Sequence, residues 1–74
     1  MQEIFRHITT DPKVHFGKPV IAGTRVPVDL VVSKMAGGMT MEEISREYDL
    51  TREQVQIALQ YAAHLVAEEE LVFA

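Results

Sequence analysis

Residues 40–66, TMEEISREYDLTREQVQIALQYAAHLV, decide how the chain folds. Thr40 is followed three residues later by Glu43, and Thr51 three residues later by Gln54. Both pairs have the spacing of a capping box, in which the Thr hydroxyl accepts from a backbone N–H of the first turn and the Glu or Gln side chain accepts from the Thr N–H. One helix is therefore expected from Met41 to Tyr48 and a second from Arg52 to about Ala67. Tyr48-Asp49-Leu50 makes the tight turn, with Leu50 plugging the corner. Met41, Ile44 and Tyr48 fall on one stripe, and Ser45 is small enough to let the next helix cross closely. On the longer helix Val55, Ala58, Leu59, Ala62 and Val66 form a core face at helical spacing. Ile57, Tyr61 and His64 form a second apolar stripe almost opposite it.

Upstream, Asp29 to Ala36 reads as a first helix. Asp29 serves as its N-cap or first-turn acid, Leu30, Val31, Val32 and Met35 turn inward, and Gly37-Gly38 supplies the left-handed residue that ends it. Pro19 to Val28 (PVIAGTRVPV) reads as a small hairpin with Val20-Ile21 and Val26–Val28 as arms and Gly23 at the bend. Pro19 and Pro27 lack an N–H and confine these arms to a sheet edge. Residues 1–9 form a short strand or an arm, Thr10-Asp11-Pro12-Lys13 a turn, and Val14-His15-Phe16 a brief extended piece. Downstream, Glu68-Glu69-Glu70 places acids at the unfavourable end of the helix dipole, which predicts that the helix frays or stops there. Leu71 to Ala74 is then an apolar tail. The whole is one mainly α domain, residues 1–74, divided into an arm at 1–28, three helices over 29–67 and a tail at 68–74.

A chain of 74 residues leaves much of its surface exposed on folding and is marginally stable alone. It has no cysteine and hence no disulfide or thiolate metal site. Hydrophobic residues make up 47% and charged residues 24%, the balance of an ordered domain. No apolar run approaches a membrane span and no leader is evident, so the expected compartment is the cytoplasm. Charge is unevenly spread. Residues 1–38 carry Arg6, Lys13, Lys18, Arg25 and Lys34 against Glu3, Asp11 and Asp29, a net of +2. Residues 39–74 carry Arg46 and Arg52 against Glu42, Glu43, Glu47, Asp49, Glu53 and Glu68–Glu70, a net of −6. An acidic helix-turn-helix half weakens the usual inference from this motif to DNA.

The stretch Gly17 to Val28, GKPVIAGTRVPV, resembles the signature of a small prokaryotic family catalogued as domain of unknown function 433 (DUF433). Asp11, Pro12, Gly17, Lys18, Pro19, Ile21, Gly23, Thr24, Arg25, Pro27 and Val28 match the first part of its pattern. Gly38, Glu42, Glu43, Ile44, Tyr48, Leu50, Thr51, Ala58, Leu59, Tyr61 and Ala62 match the second. The turn departs from the pattern, since many members carry an extra residue after the Tyr. The resemblance implies a homeodomain-like helix-turn-helix with a small N-terminal β-hairpin. It also implies an antitoxin of the Vap type, with operator DNA and a PIN-like nuclease toxin as partners.

In this motif the second helix presents its early residues to base edges. The candidate DNA contacts are Thr51, Arg52, Gln54, Gln56 and Gln60, with Arg46 on phosphate and Lys18 and Arg25 at the hairpin tip. The structural alternatives are that Thr51 and Gln54 only cap the helix and that Arg25 bonds backbone carbonyls. The second apolar stripe must be covered by the hairpin or by a partner, most simply a second copy. Ile57, Tyr61, His64, Leu71 and Phe73 are the candidate interface residues. The acidic run Glu68–Glu70 suits a basic nuclease surface. No enzyme, cofactor or metal is expected. His7, His15 and His64 lack ligand spacing, and Gly17-Lys18 lacks the upstream Gly and following Ser or Thr of a phosphate loop.

Overall fold

The structure is a computed structural model that describes the backbone of residues 1–73 and the side chains of residues 1–68. Three strands, β1 (Gln2–Phe5), β2 (Ile8–Thr10) and β3 (Val20–Ile21), precede three helices, α1 (Val28–Ala36), α2 (Met41–Tyr48) and α3 (Arg52–Phe73). Both capping boxes form. Thr40 N–H donates to Glu43 Oε1 at 2.9 Å and Glu43 N–H to Thr40 Oγ1 at 3.1 Å. Thr51 N–H donates to Gln54 Oε1 at 2.8 Å and Gln54 N–H to Thr51 Oγ1 at 3.0 Å. These bonds satisfy four donors that the first turns of α2 and α3 leave without a partner, which is why both helices begin where the Thr residues put them.

The C-termini of α1 and α2 close by one device, a left-handed residue followed by a long backbone bond. At α1 that residue is Gly38 (φ 107), with Gly38 N–H on Met35 O at 3.0 Å and Met39 N–H on Lys34 O at 3.1 Å. At α2 it is Asp49 (φ 54, ψ 49), after which Leu50 N–H reaches Ser45 O at 2.9 Å and the Leu50 side chain is buried. Helix α1 starts one residue before its expected N-terminus, at Val28 rather than Asp29, with Pro27 in the N-cap position. Asp29 is a first-turn acid and pairs with Lys18 Nζ at 2.9 Å.

Helix α3 runs past Ala67 and through the acidic run to Phe73, so it does not stop at Glu68–Glu70 as expected. Glu is a good helix former, a misplaced acid costs only tenths of a kcal/mol in water, and Glu68 Oε1 gains His64 Nε2 one turn back at 3.1 Å.

The strands form one antiparallel sheet in the order β1-β2-β3. The expected hairpin is present only in outline. Val20 and Pro27 make an isolated bridge, Ile21 N–H bonds Val26 O at 3.0 Å and Val28 N–H bonds Pro19 O at 3.0 Å. The main partner of β3 is instead β2, with Ile8 opposite Ile21 and Thr9 opposite Val20. Pro27 has no N–H to extend a ladder, and the chain turns into α1 directly after it. The turn itself is closed by Thr24, whose hydroxyl donates to Ile21 O at 2.7 Å and accepts from Val26 N–H at 3.0 Å. Of Val14-His15-Phe16 only Val14 is extended, with φ −118 and ψ 113 and an isolated bridge to Asp11. His15, Phe16 and Gly17 take φ of 48°, 57° and 85° and form a left-handed turn.

The core joins Ile8 and Ile21 of the sheet to Val31, Ile44 and Val55 of the three helices, all fully buried. Leu30, Val32 and Met35 are half-buried around Val31 on α1. Glu43 has its carboxyl held below the ordinary glutamate range by the Thr40 N–H first, then by the Thr40 hydroxyl and more weakly by Arg46. A folded value below the unfolded one contributes stability in full above about pH 4.3. That contribution is lost as the pH falls through the lower folded value. Gln54, the amide in the equivalent place, has no such dependence. Glu43→Gln keeps the acceptor and removes the titration. Urea unfolding at pH 7 and pH 3 is expected to show a smaller loss of stability on acidification in this variant than in the parent.

Candidate functional site

The early part of α3 presents Arg52, Gln56 and Gln60 at successive turns, all exposed. They lie on the side away from Val55, Ala58 and Tyr61, which face the core. Arg46, from α2, and Arg52 line one hollow of about 390 Å³ together with Glu42, Ser45 and Leu50. Ser45 Oγ is buried at this corner with no hydrogen-bond partner. Two guanidiniums therefore flank the turn, with a strip of two amides running along α3 from the second of them. Thr51 and Gln54 do not join this strip, because their side chains are occupied by the capping box.

The hairpin-tip cations are separated from this face in their bonding. Lys18 is tied to Asp29. The Arg25 side chain is exposed, and among the described residues it makes no ion pair or side-chain hydrogen bond; it is the Arg25 carbonyl that meets His15 Nε2, at 2.8 Å. The expected alternative of a structural Arg25 side chain bonded to carbonyls is thus not what the structure has.

The interface expectation for the second stripe needs correction. Ile57 and Tyr61 are buried in the chain's own core, because the N-terminal sheet folds over them. Phe5 at the end of β1 packs on Tyr61 with ring centroids 5.3 Å apart and on His64 at 5.6 Å. His64 is exposed at the edge of this cover. The side chains of Glu69, Glu70, Leu71 and Phe73 lie outside the described residues, as does Ala74.

The exposed apolar surface lies elsewhere. Val66, expected in the core, is 55% exposed and Leu65 41% exposed. Both line a groove of about 510 Å³ between α1 and α3, with Val28, Val32, Tyr61 and the Lys18-Pro19 loop. Helical spacing alone does not reveal it: Leu65 stands one turn beyond Tyr61 and Val66 one turn beyond Ala62, both at apolar spacing, and their exposure depends on which elements reach that end of α3. Among the described residues no group of three or more His, Asp or Glu side chains is arranged to hold a metal ion. No helix there is long and apolar enough to cross a membrane.

Comparison with known families gives a direct result. The model of a family described as a protein of unknown function, DUF433, matches residues 8–62. The chain belongs to the DUF433 family. The match covers β2 through the first three turns of α3, so β2, β3, the helix-turn-helix and the Phe16 turn lie inside it, while β1 precedes it. Among solved structures this DUF433 chain is similar to the crystal structure of Rv2018 from Mycobacterium tuberculosis, with 31% identity and a TM-score of 0.64 over 70% of its length. It spans 24% of the length of that protein. No curated protein matches the chain.

Because Ile57 is only 3% exposed, Ile57→Glu is expected to unfold the protein rather than dissociate an assembly. An unpaired carboxylate in that site costs several kcal/mol. Circular dichroism at 25 °C decides: loss of the helical signal is the expected result, and a folded monomer would return Ile57 to an interface.

Proposed function

We propose that this DUF433 chain is an antitoxin-like DNA-binding regulator of a toxin–antitoxin pair. It acts in the cytoplasm, neutralises a PIN-like nuclease toxin and uses a homeodomain-like arrangement of α2 and α3 to meet DNA. The observation that carries the DNA part is the exposed strip of Arg52, Gln56 and Gln60 on α3 with Arg46 beside Arg52 in one hollow. Guanidinium groups at that end match guanine edges or phosphates, and carboxamides match adenine. None of these four side chains is occupied by a hydrogen bond or ion pair among the described residues. The toxin part rests on the resemblance of Gly17–Val28 and the helix pattern to the DUF433 signature, some of whose bearers look like Vap-type antitoxins, together with the family match over residues 8–62. Glu68 to Glu70, which the net of −6 over residues 39–74 accompanies, then face the basic substrate cleft of the nuclease.

A second reading is favoured by the acidic surroundings of this strip. Glu42 shares the hollow with the two arginines, Glu53 follows Arg52 on the exposed side of α3, and the chain carries a net charge of −4. On this reading the helix-turn-helix is a fold only, and the chain is a protein-interaction module without DNA affinity.

Mobility-shift titration on the chain's own upstream DNA, repeated over a range of salt, separates the two. The first reading expects binding whose logarithm falls linearly with log salt, and Arg52→Ala is expected to lower that slope by about one. Gln56→Ala is expected to relax discrimination at one base position by about 1–3 kcal/mol. Absence of any binding above nonspecific levels at low salt removes the DNA part and leaves the interaction module. For the toxin part, co-expression with a PIN-like nuclease encoded alongside is expected to restore growth, and replacing Glu68, Glu69 and Glu70 with Gln is expected to abolish that rescue.

A further inference from the structure

Phe16 has no place inside the molecule. It is fully exposed at 101%, and its backbone stands at φ 57 between His15 at 48 and Gly17 at 85. A bulky side chain in that region of backbone space is costly and persists only where the surroundings impose it. Here Gly17 N–H bonds Val14 O at 3.1 Å, Lys18 N–H bonds His15 O at 3.2 Å, and the His15 ring is held 2.8 Å from Arg25 O. The turn spends backbone strain on presenting an aromatic ring to solvent.

Two and three residues beyond Phe16, Lys18 and Pro19 line the α1–α3 groove together with Tyr61, Leu65 and Val66. A projecting ring and an apolar hollow thus sit side by side on one edge of the molecule. A patch that carries both is complementary to itself about a twofold axis. Charge agrees with such a pairing. Residues 12–28 hold Lys13, Lys18 and Arg25 and no acid, whereas α3 beyond Arg52 holds no Lys or Arg and exposes Glu68. Laying the turn of one copy over α3 of another brings Lys13 and Arg25 toward Glu68, whose partner in its own chain is His64 at 3.1 Å, and the symmetry does so twice. The Lys18–Asp29 pair of 2.9 Å covers the one carboxylate at the groove's mouth.

We propose that a second copy of this chain occupies the groove, each Phe16 inserting between α1 and α3 of its partner. This surface is separate from the Arg52–Gln60 strip, so the dimer can fail while DNA contact stands, and the reverse.

Sedimentation equilibrium of the full chain at roughly 100 µM, where a weak interface is already populated, is expected to give the mass of a dimer. Phe16→Ala removes the ring from both contacts and is expected to raise the dissociation constant about a hundredfold or more. Leu65→Glu, at a solvent-facing helical position, is expected to do the same by closing the hollow. Circular dichroism is expected to stay unchanged in both. Mixing the two variants then discriminates: the hollow of the Phe16→Ala chain is intact and so is the ring of the Leu65→Glu chain. The mixture is expected to form heterodimers more tightly than either variant associates alone. A monomeric parent would overturn the proposal and leave the groove to a different protein. A dimer that survives both substitutions, or a mixture no tighter than its components, would overturn it equally.

Discussion

Helix α3 is apolar around more than half of its circumference, and the rest of the fold is arranged to cover it. Val55 and Ala58 need one cover, Ile57 and Tyr61 another, and all four are buried. Helices α1 and α2 close on the first side and the sheet on the second, through Phe5 on Tyr61. Burying a side chain of this size contributes about 1.5–3 kcal/mol, against a net stability of only about 5–15 kcal/mol for a typical domain. Neither cover is expendable. The three strands, the longest of them four residues, are too short to persist alone; they exist because α3 gives them a surface.

Within that constraint the helix ends are fixed chemically. Helices α1 and α2, of nine and eight residues, are below the length at which a peptide holds a helix in water. Their boundaries come from side chains and turns: a Thr cap before α2, and a left-handed residue after each. At Gly38 that conformation costs nothing sterically. At Asp49 it is tolerated because a short polar side chain visits this region more readily than most, and the buried Leu50 behind it holds the turn closed.

What the sequence made legible follows the same division. Met41–Tyr48 matched the expected helix at both ends because a capping box and a turn residue are local signals. The start of α3 was legible for the same reason. Its end was not, since the weak dipole penalty on Glu68–Glu70 lost to helix propensity and a His64–Glu68 pair. Long-range pairing was the larger blind spot. The pattern Val20-Ile21 suggested a strand, but nothing local indicated that β2, rather than Val26–Val28, would be its main partner. The two-sided helix left open whether sheet or partner covered Ile57 and Tyr61, and only the position of Phe5 answered it. In the candidate site, Arg52, Gln56 and Gln60 kept the exposed placement that helical spacing implied, while Thr51 and Gln54 were spent on the cap. The groove stayed hidden because its walls come from elements far apart in sequence.

The ring contact between Phe5 and Tyr61 also sets the order in which the molecule can come together. Its partners are separated by most of the chain. The helix-turn-helix can organise early through nearby contacts, but the second apolar side of α3 stays open until the N-terminal strands return to it. Contacts of such separation carry a high closure entropy and slow folding. During synthesis the strands emerge first and wait, with no surface to pack on, until residues near Tyr61 have been made. The sheet therefore closes the longest loop in the fold, and any opening of it bares the Tyr61 side of α3.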